Sequence, residues 1–174
     1  MSNGKDCMVE FKKVGLDELY KIKKIAYETW PITFGQVLPK EQITYMLESI
    51  YNEEALKQQV LEKKHNFLVA EKDDQPLGFA SYEINYNSNP QLMIHKLYLL
   101  PMSQGLSIGT KFLNLLSEIA LQNRNNRLRL KVFFQNLKAI GFYEKYGFKD
   151  IGTETTDIGS NYTILDIVMA KQLF

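Results

Sequence analysis

An apolar run from Leu92 to Leu100, interrupted only by His95 and Lys96, is closed by Pro101. It leads through Gln104-Gly105-Leu106-Ser107-Ile108-Gly109 into a stripe of Ile108, Phe112, Leu115, Leu116 and Ile119 at helical spacing. This pattern reads as a strand, a tight turn and a helix. It constrains the fold because unpaired N–H groups at the helix start face the strand's end, where they can hold an anion. A polar turn at Gln122 to Asn126 and a further strand at Arg127 to Phe133 complete a strand-helix-strand unit.

Around this unit the periodicities predict a regular order of elements. Val9 and Phe11 alternate with polar neighbours over Met8 to Lys13, as in a half-buried strand. From Asp17, the residues Leu19, Ile22, Ile25, Ala26 and Thr29 share a helical face, and Pro31 is expected to stop that helix at Trp30. Two further helical pieces follow, one opened by Pro39 and one over Glu53 to Lys64. A hairpin is expected from Phe67 to Tyr86, turning at Asp73-Asp74-Gln75-Pro76. A short helix over Asn136 to Tyr146 stops at Gly147, with closing strands at Phe148 to Thr153 and Tyr162 to Met169. The order implies a three-layer α/β architecture, a mixed sheet with helices on its faces.

With 174 residues, 45% of them apolar, the chain is expected to form one domain over 1–174 around a core of ordinary size. Its net charge of +1 offers no global field for nucleic acid or an acidic membrane surface, so neither is expected as a partner. No apolar run is long enough to span a membrane, and Met1 to Asp6 lacks the basic and apolar regions of a signal peptide; a cytoplasmic location is expected. Cys7 is the only cysteine, which excludes an intramolecular disulfide framework and a cysteine-based zinc site. With His65 and His95 far apart in sequence, no metal is expected.

The Gln104 to Gly109 turn is not a nucleotide P-loop, because Gly109 is followed by Thr110-Lys111 in inverted order. A dinucleotide fold is disfavoured too, since the region where it needs an acidic residue, Arg124 to Arg129, is basic. By itself the turn is as compatible with an ordinary glycine loop as with an anion site.

Leu97-Tyr98-Leu99-Leu100-Pro101 and the turn after it resemble the acetyl-CoA motif of the GNAT superfamily of N-acetyltransferases, Arg/Gln-x-x-Gly-x-Gly/Ala. Gln104 and Gly109 match its ends, and Ser107 stands where the family usually has its middle glycine. At the expected distance, Asn136 to Phe148 resembles the signature Asn-x-x-Ala-x-x-Phe-Tyr-x-x-x-Gly-Phe. The resemblance implies the GNAT fold, a mixed, mostly antiparallel sheet with splayed central strands, and acetyl-CoA as co-substrate. It implies that Leu97, Tyr98 and Leu99 pair with the pantetheine arm through their backbone. Gln104, Gly105, Leu106, Ser107, Ile108, Gly109 and Thr110 would cradle the pyrophosphate. Asn136 would contact the pantetheine arm, or cap its own helix.

Amine acetylation needs an uncharged nitrogen, stabilisation of an oxyanion, and a proton for the departing thiolate. Tyr143 matches the family tyrosine beside the thioester sulfur and is the candidate general acid. A backbone N–H near Leu99 is the implied oxyanion donor. Some family members carry a catalytic glutamate where this chain has Met93, which makes His95 the nearest titratable substitute, expected on the same strand face as Met93, Leu97 and Leu99. Glu83 and an ordered water are the alternatives for the base. In this fold the helices after the first strand wall the acceptor site, so Glu28, Trp30, Phe34 and Tyr45 are candidate contacts for an alkylammonium, or core residues that pack those helices.

The segment from Glu28 to Phe34 and the tail Asp157 to Tyr162 are similar to bacterial members grouped with spermidine/spermine acetyltransferases. A small polyamine is therefore the expected acceptor and a homodimer the expected assembly. A non-catalytic acyl-CoA-binding regulator and a peptide or protein N-acetyltransferase are the competing readings.

Overall fold

The computed structural model describes residues 8–174; Cys7 and the Met1 to Asp6 start lie outside the described residues. The chain runs β1 (Glu10–Lys13), α1 (Leu19–Phe34), α2 (Lys40–Ile50), α3 (Glu53–Leu61), β2 (Asn66–Lys72), β3 (Gln75–Glu83), β4 (Gln91–Leu99), α4 (Ile108–Gln122), β5 (Arg127–Phe133), α5 (Leu137–Tyr146), β6 (Lys149–Gly159) and β7 (Tyr162–Gln172). The seven strands form one sheet in the order β1-β2-β3-β4-β5-β7-β6. Among the described residues only the β4–β5 pair is parallel. This is the expected mixed, mostly antiparallel sheet.

Each face of the sheet buries its own apolar cluster. On one, Phe112, Leu113 and Leu116 of α4 and Tyr143 of α5 pack on Leu92, Ile94, Leu128 and Leu130. On the other, Ile22, Ile25, Trp30 and Phe34 of α1, with Ile43 and Leu47 of α2 and Leu56 of α3, cover Phe67, Val69 and Phe79. At ~1.5–3 kcal/mol for each large apolar side chain removed from water, these two layers supply the main favourable term of folding.

Helix α1 continues through Pro31 to Phe34, one turn beyond the expected stop at Trp30. Pro31 lacks the N–H that would reach the Tyr27 carbonyl, but both residues lie on the exposed side of the helix, where water takes the freed group. Trp30 and Phe34, both buried opposite, hold the last turn against the core. The closing hairpin is longer than the apolar pattern implied, because most of β6 is exposed and carries no core-facing alternation.

The β3–β4 ladder contains the irregularity on which the site depends. Ser81 pairs with Lys96 and Tyr82 with Ile94, so His95 has no opposite number. This bulge shifts the alternation by one residue: Leu92 and Ile94 face α4 before it, and Leu97 and Leu99 face α4 after it. It also corrects the expected placement of His95, which does not share a face with Leu97 and Leu99. His95 and Lys96 both project toward the α1–α3 side, where the His95 ring stacks on His65 at 3.9 Å and the Lys96 ammonium reaches Gln59 at 2.7 Å. Beyond the bulge β4 leaves β5, and their pairing ends at Ile94 with Leu130.

Gly78 lets β3 and β4 approach on the far side of that opening. A Cβ there would lie 2.6 Å from the Tyr98 carbonyl oxygen and 3.1 Å from the Leu99 Cα, both backbone atoms. Gly78→Ala should therefore cost ~1–3 kcal/mol of stability, read as a lower urea midpoint at unchanged slope. A midpoint equal to the wild type would show that β4 shifts freely at this position.

Candidate active site

Where β4 and β5 part, a cavity of about 550 Å³ opens into the sheet. It is lined by Leu97, Tyr98 and Leu99 on β4, by Leu130 to Val132 on β5, by the turn into α4, and by Asn136 and Tyr143 of α5. Thr29, Thr33 and Phe34 of α1 close its other side. The separated strands leave backbone N–H and C=O groups of Leu97 to Leu99 without a partner on the β5 side, the arrangement needed to bind an extended amide-bearing arm.

The turn presents a fixed set of donors. Gly105 and Ser107 take left-handed φ angles of 77° and 54°. Among the described residues, no backbone carbonyl receives the N–H groups of Ser107, Ile108, Gly109 and Thr110; the first bond of this end runs from Lys111 to the Ser107 carbonyl at 3.0 Å. Four free amides at the N-terminus of a helix of 15 residues favour a bound anion. Gln104, Gly105, Ser107, Ile108, Gly109 and Thr110 all line the cavity, whereas Leu106 turns away and packs against the core. These residues fit a pyrophosphate with a pantetheine arm running along β4.

Tyr143 enters the cavity from α5, whose start and end are both fixed by sequence. The Asn136 side chain caps the helix by accepting from the Ala139 N–H at 3.3 Å, and Asn136 also lines the cavity. Gly147, at φ 105°, closes it, with the Phe148 N–H reaching the Tyr143 carbonyl at 3.0 Å. Burial pushes the Tyr143 phenol well above its ordinary value, so it stays protonated.

On the opposite wall, the His95 Nε2 lies 3.0 Å from a Glu83 carboxylate oxygen. Burial, then the charges of Lys96 and Lys131, hold the His95 imidazolium down to about 3, so the ring is neutral near pH 7. Desolvation raises the Glu83 carboxyl above the usual carboxylate range. His65 and His95, far apart in sequence, are thus neighbours, and burial keeps His65 neutral as well. Glu83 does not line the cavity but orients a residue that does.

Of the residues expected to meet the acceptor, Phe34 lines the cavity. Trp30 is buried in the α1 layer, with its ring 4.9 Å from Phe34. Glu28 is on the exposed face of α1 and away from the cavity. The Tyr45 hydroxyl donates to the Ile158 carbonyl at 2.9 Å, tying α2 to the tip of the β6–β7 hairpin. Two residues were not foreseen. Lys96 is a cavity-lining lysine whose ammonium burial brings down to about 7. Asp166 is a half-buried carboxylate on β7. Both interrupt otherwise apolar strands, at Ile94 to Leu100 and Ile164 to Val168, which is the sequence signal that marks them.

The fold and the anion-binding, splayed-strand site define an acyl-CoA-dependent transferase, and residues 19–148 match the acetyltransferase (GNAT) family, to which the chain belongs. It is an acetyl-CoA-dependent N-acetyltransferase. It is similar to the spermidine N(1)-acetyltransferase of Thermoplasma acidophilum, at 28% identity over 86% of this chain and 93% of that one. Its structure superposes on the crystal structure of the PaiA N-acetyltransferase from Thermoplasma acidophilum in complex with coenzyme A, with a TM-score of 0.78 and 26% identity, covering 95% of this chain and 99% of that one. The ribosomal-protein-S18-alanine N-acetyltransferase of Escherichia coli shares the fold at 15% identity and a TM-score of 0.70, over 95% of this chain and 94% of that one.

Ser107 carries its left-handed backbone at a cost of ~1 kcal/mol relative to glycine. Ser107→Gly is expected to bind CoA at least as tightly as the wild type by calorimetry, because the amides keep their positions; weakened binding would show that the hydroxyl itself contacts the ligand. The two half-buried imidazoles set an acid limit on stability. Their folded-state pKa values lie below the ordinary 6.5, so the unfolded chain binds more protons as pH falls. Stability should be full above pH 6.5 and decline from there toward about pH 2, and the decline should be shallower in a His65→Gln, His95→Gln double variant followed by thermal melts.

Proposed function

We propose that the chain transfers the acetyl group of acetyl-CoA directly to a primary amine of a small polyamine-like molecule. The observation that carries this reading is the cavity in which the free amides of α4, the parted edge of β4, the Tyr143 phenol and the aromatic Phe34 and Tyr98 converge. The similarity to a spermidine N(1)-acetyltransferase over most of both chains supports the choice of acceptor.

Bound acetyl-CoA supplies an electrophilic thioester carbonyl and a thiolate leaving group. The chain's residues then manage protons and charge. The amine lone pair forms the C–N bond, the C–S bond breaks with its electrons leaving on sulfur, and the backbone N–H groups freed near Leu99 stabilise the oxygen's charge. The Tyr143 phenol gives its proton to sulfur and regains one from water. The surplus proton of the amine nitrogen passes to solvent on the α1 side, with the neutral His95 imidazole, oriented by Glu83, placed to relay it.

A second reading of the base rests on Lys96. Its ammonium lines the cavity, bonds only Gln59 among the described residues, and sits near the pH at which a general base is most effective. The pH dependence of kcat at saturating amine separates the two. An acid limb near pH 7 that disappears in Lys96→Gln assigns the base to Lys96, whereas the absence of that limb, with loss of turnover in His95→Gln, assigns it to His95.

The reading also includes a homodimer, supported by the outer edge of β6, an 11-residue strand at the end of the sheet that could pair with a second copy. For the chemistry itself, Tyr143→Phe is expected to lower kcat about a hundred-fold or more while leaving the Kd for CoA near the wild-type value. Wild-type kcat across a pH series would remove Tyr143 from this role.

A further inference from the structure

Behind the aromatic rings of the cavity wall, β7 holds a carboxylate that does not itself line the cavity and that the proposed chemistry does not use. Asp166 pairs in register with Phe133 on β5 and Glu154 on β6, so the three side chains stand in one row on the α1 side of the sheet. In that neighbourhood Lys131 is the cation, and its ammonium bonds the Glu154 carboxylate. Asp166 has no hydrogen bond or ion pair within the described residues. It is half-buried, and desolvation raises its carboxyl above the usual range, with Lys131 opposing and Glu154 adding to the shift.

The surroundings of this carboxylate are aromatic. The Phe133 ring beside it lies 6.2 Å from Phe34 and 5.1 Å from Phe134, and Phe34 lies 6.2 Å from Tyr98. Phe34 and Tyr98 line the cavity that also holds Tyr143. The Tyr98 phenol is raised by burial, then by Tyr143 and by Asp166. An unpaired, desolvated carboxylate among aromatic faces is disfavoured by itself and favoured once an alkylammonium enters, through both the ion pair and cation–π attraction.

We propose that Asp166 binds a second ammonium group of the acceptor, one that is not acetylated, and so selects molecules carrying two or more amines over monoamines. The assignment rests on the reading of the chain as an acetyltransferase of small polyamine-like amines. Asp166 is a specificity residue and takes no part in proton transfer.

The test uses the full chain with acetyl-CoA, comparing 1,4-diaminobutane with butylamine in the wild type and in Asp166→Asn, alongside equilibrium binding of the diamine to the protein–CoA complex. Asp166→Asn should lower kcat/KM for the diamine by about ten-fold or more, chiefly through KM, and leave the monoamine and the KM for acetyl-CoA unchanged. It should also melt at or above the wild-type temperature at neutral pH, since an unpaired desolvated charge has been removed. Acetylation of the diamine with equal efficiency by both proteins would overturn the role of Asp166 while leaving the acceptor class intact. Binding of the diamine that depends on Asp166, without its acetylation, would support the cation site and remove the polyamine reading. Neither acetylation nor Asp166-dependent binding would overturn both. A lower melting temperature with unchanged amine preference would make Asp166 a structural partner of Lys131 and overturn the proposal.

Discussion

The bulge at His95 is the constraint on which the site depends. One unpaired residue in β4 moves the strand's alternation by a single position, places His95 and Lys96 on the same side of the sheet, and coincides with the end of the β4–β5 pairing at Ile94 and Leu130. Without it, Leu97 and Leu99 would face away from α4, and β4 could continue along β5 as an ordinary parallel neighbour. The opening exists because a ladder stops, leaving polar backbone groups that a ligand must satisfy. Gly78 on β3 and the apolar cluster under α4 hold the parted strand in place from the other two sides.

The two sides of the opening differ in chemistry. On the α4–α5 side, free amides, a left-handed turn and a buried phenol are aligned for an anion and a leaving thiolate. On the α1 side, neutral imidazoles, a lysine held near 7 and an unpaired carboxylate surround aromatic rings. A cationic amine that enters there meets little fixed positive charge, since Lys131 is already engaged with Glu154 and Lys96 is only partly charged near neutral pH. Burial explains each of these states, because desolvation disfavours whichever form is charged. The same burial that keeps the histidines neutral makes the fold sensitive to acid.

The order of elements and the cofactor half of the site were legible in the sequence for local reasons. Strand periodicity, Pro101, the glycine turn and the capped helix after Asn136 each act within a few residues. Pro31 misled because a helix tolerates proline where the orphaned carbonyl faces water and the opposite side is anchored, as Trp30 and Phe34 anchor it. The acceptor half was less legible. The register slip at His95 leaves no trace in composition, and the meeting of His65 with His95 joins residues from opposite sides of the β2–β3 hairpin. Tyr45 read as a substrate contact from its type, yet its hydroxyl is committed to the Ile158 carbonyl across the fold. Lys96 and Asp166 could have been flagged as charges inside apolar strands, but only the assembled sheet places Lys96 on the cavity and Asp166 opposite Phe133, next to the cavity-lining Phe34.

The central claim is that the parted β4 edge and the first turn of α4 together form the CoA site. Backbone amide chemical shifts recorded during a titration with CoA test it most directly. The expected result is that the largest changes fall on Ser107, Ile108, Gly109 and Thr110, with a second group at Leu97 to Leu99, while the amides of β1 and β2 stay still. Binding of CoA with these amides unmoved, and shifts concentrated elsewhere, would contradict it.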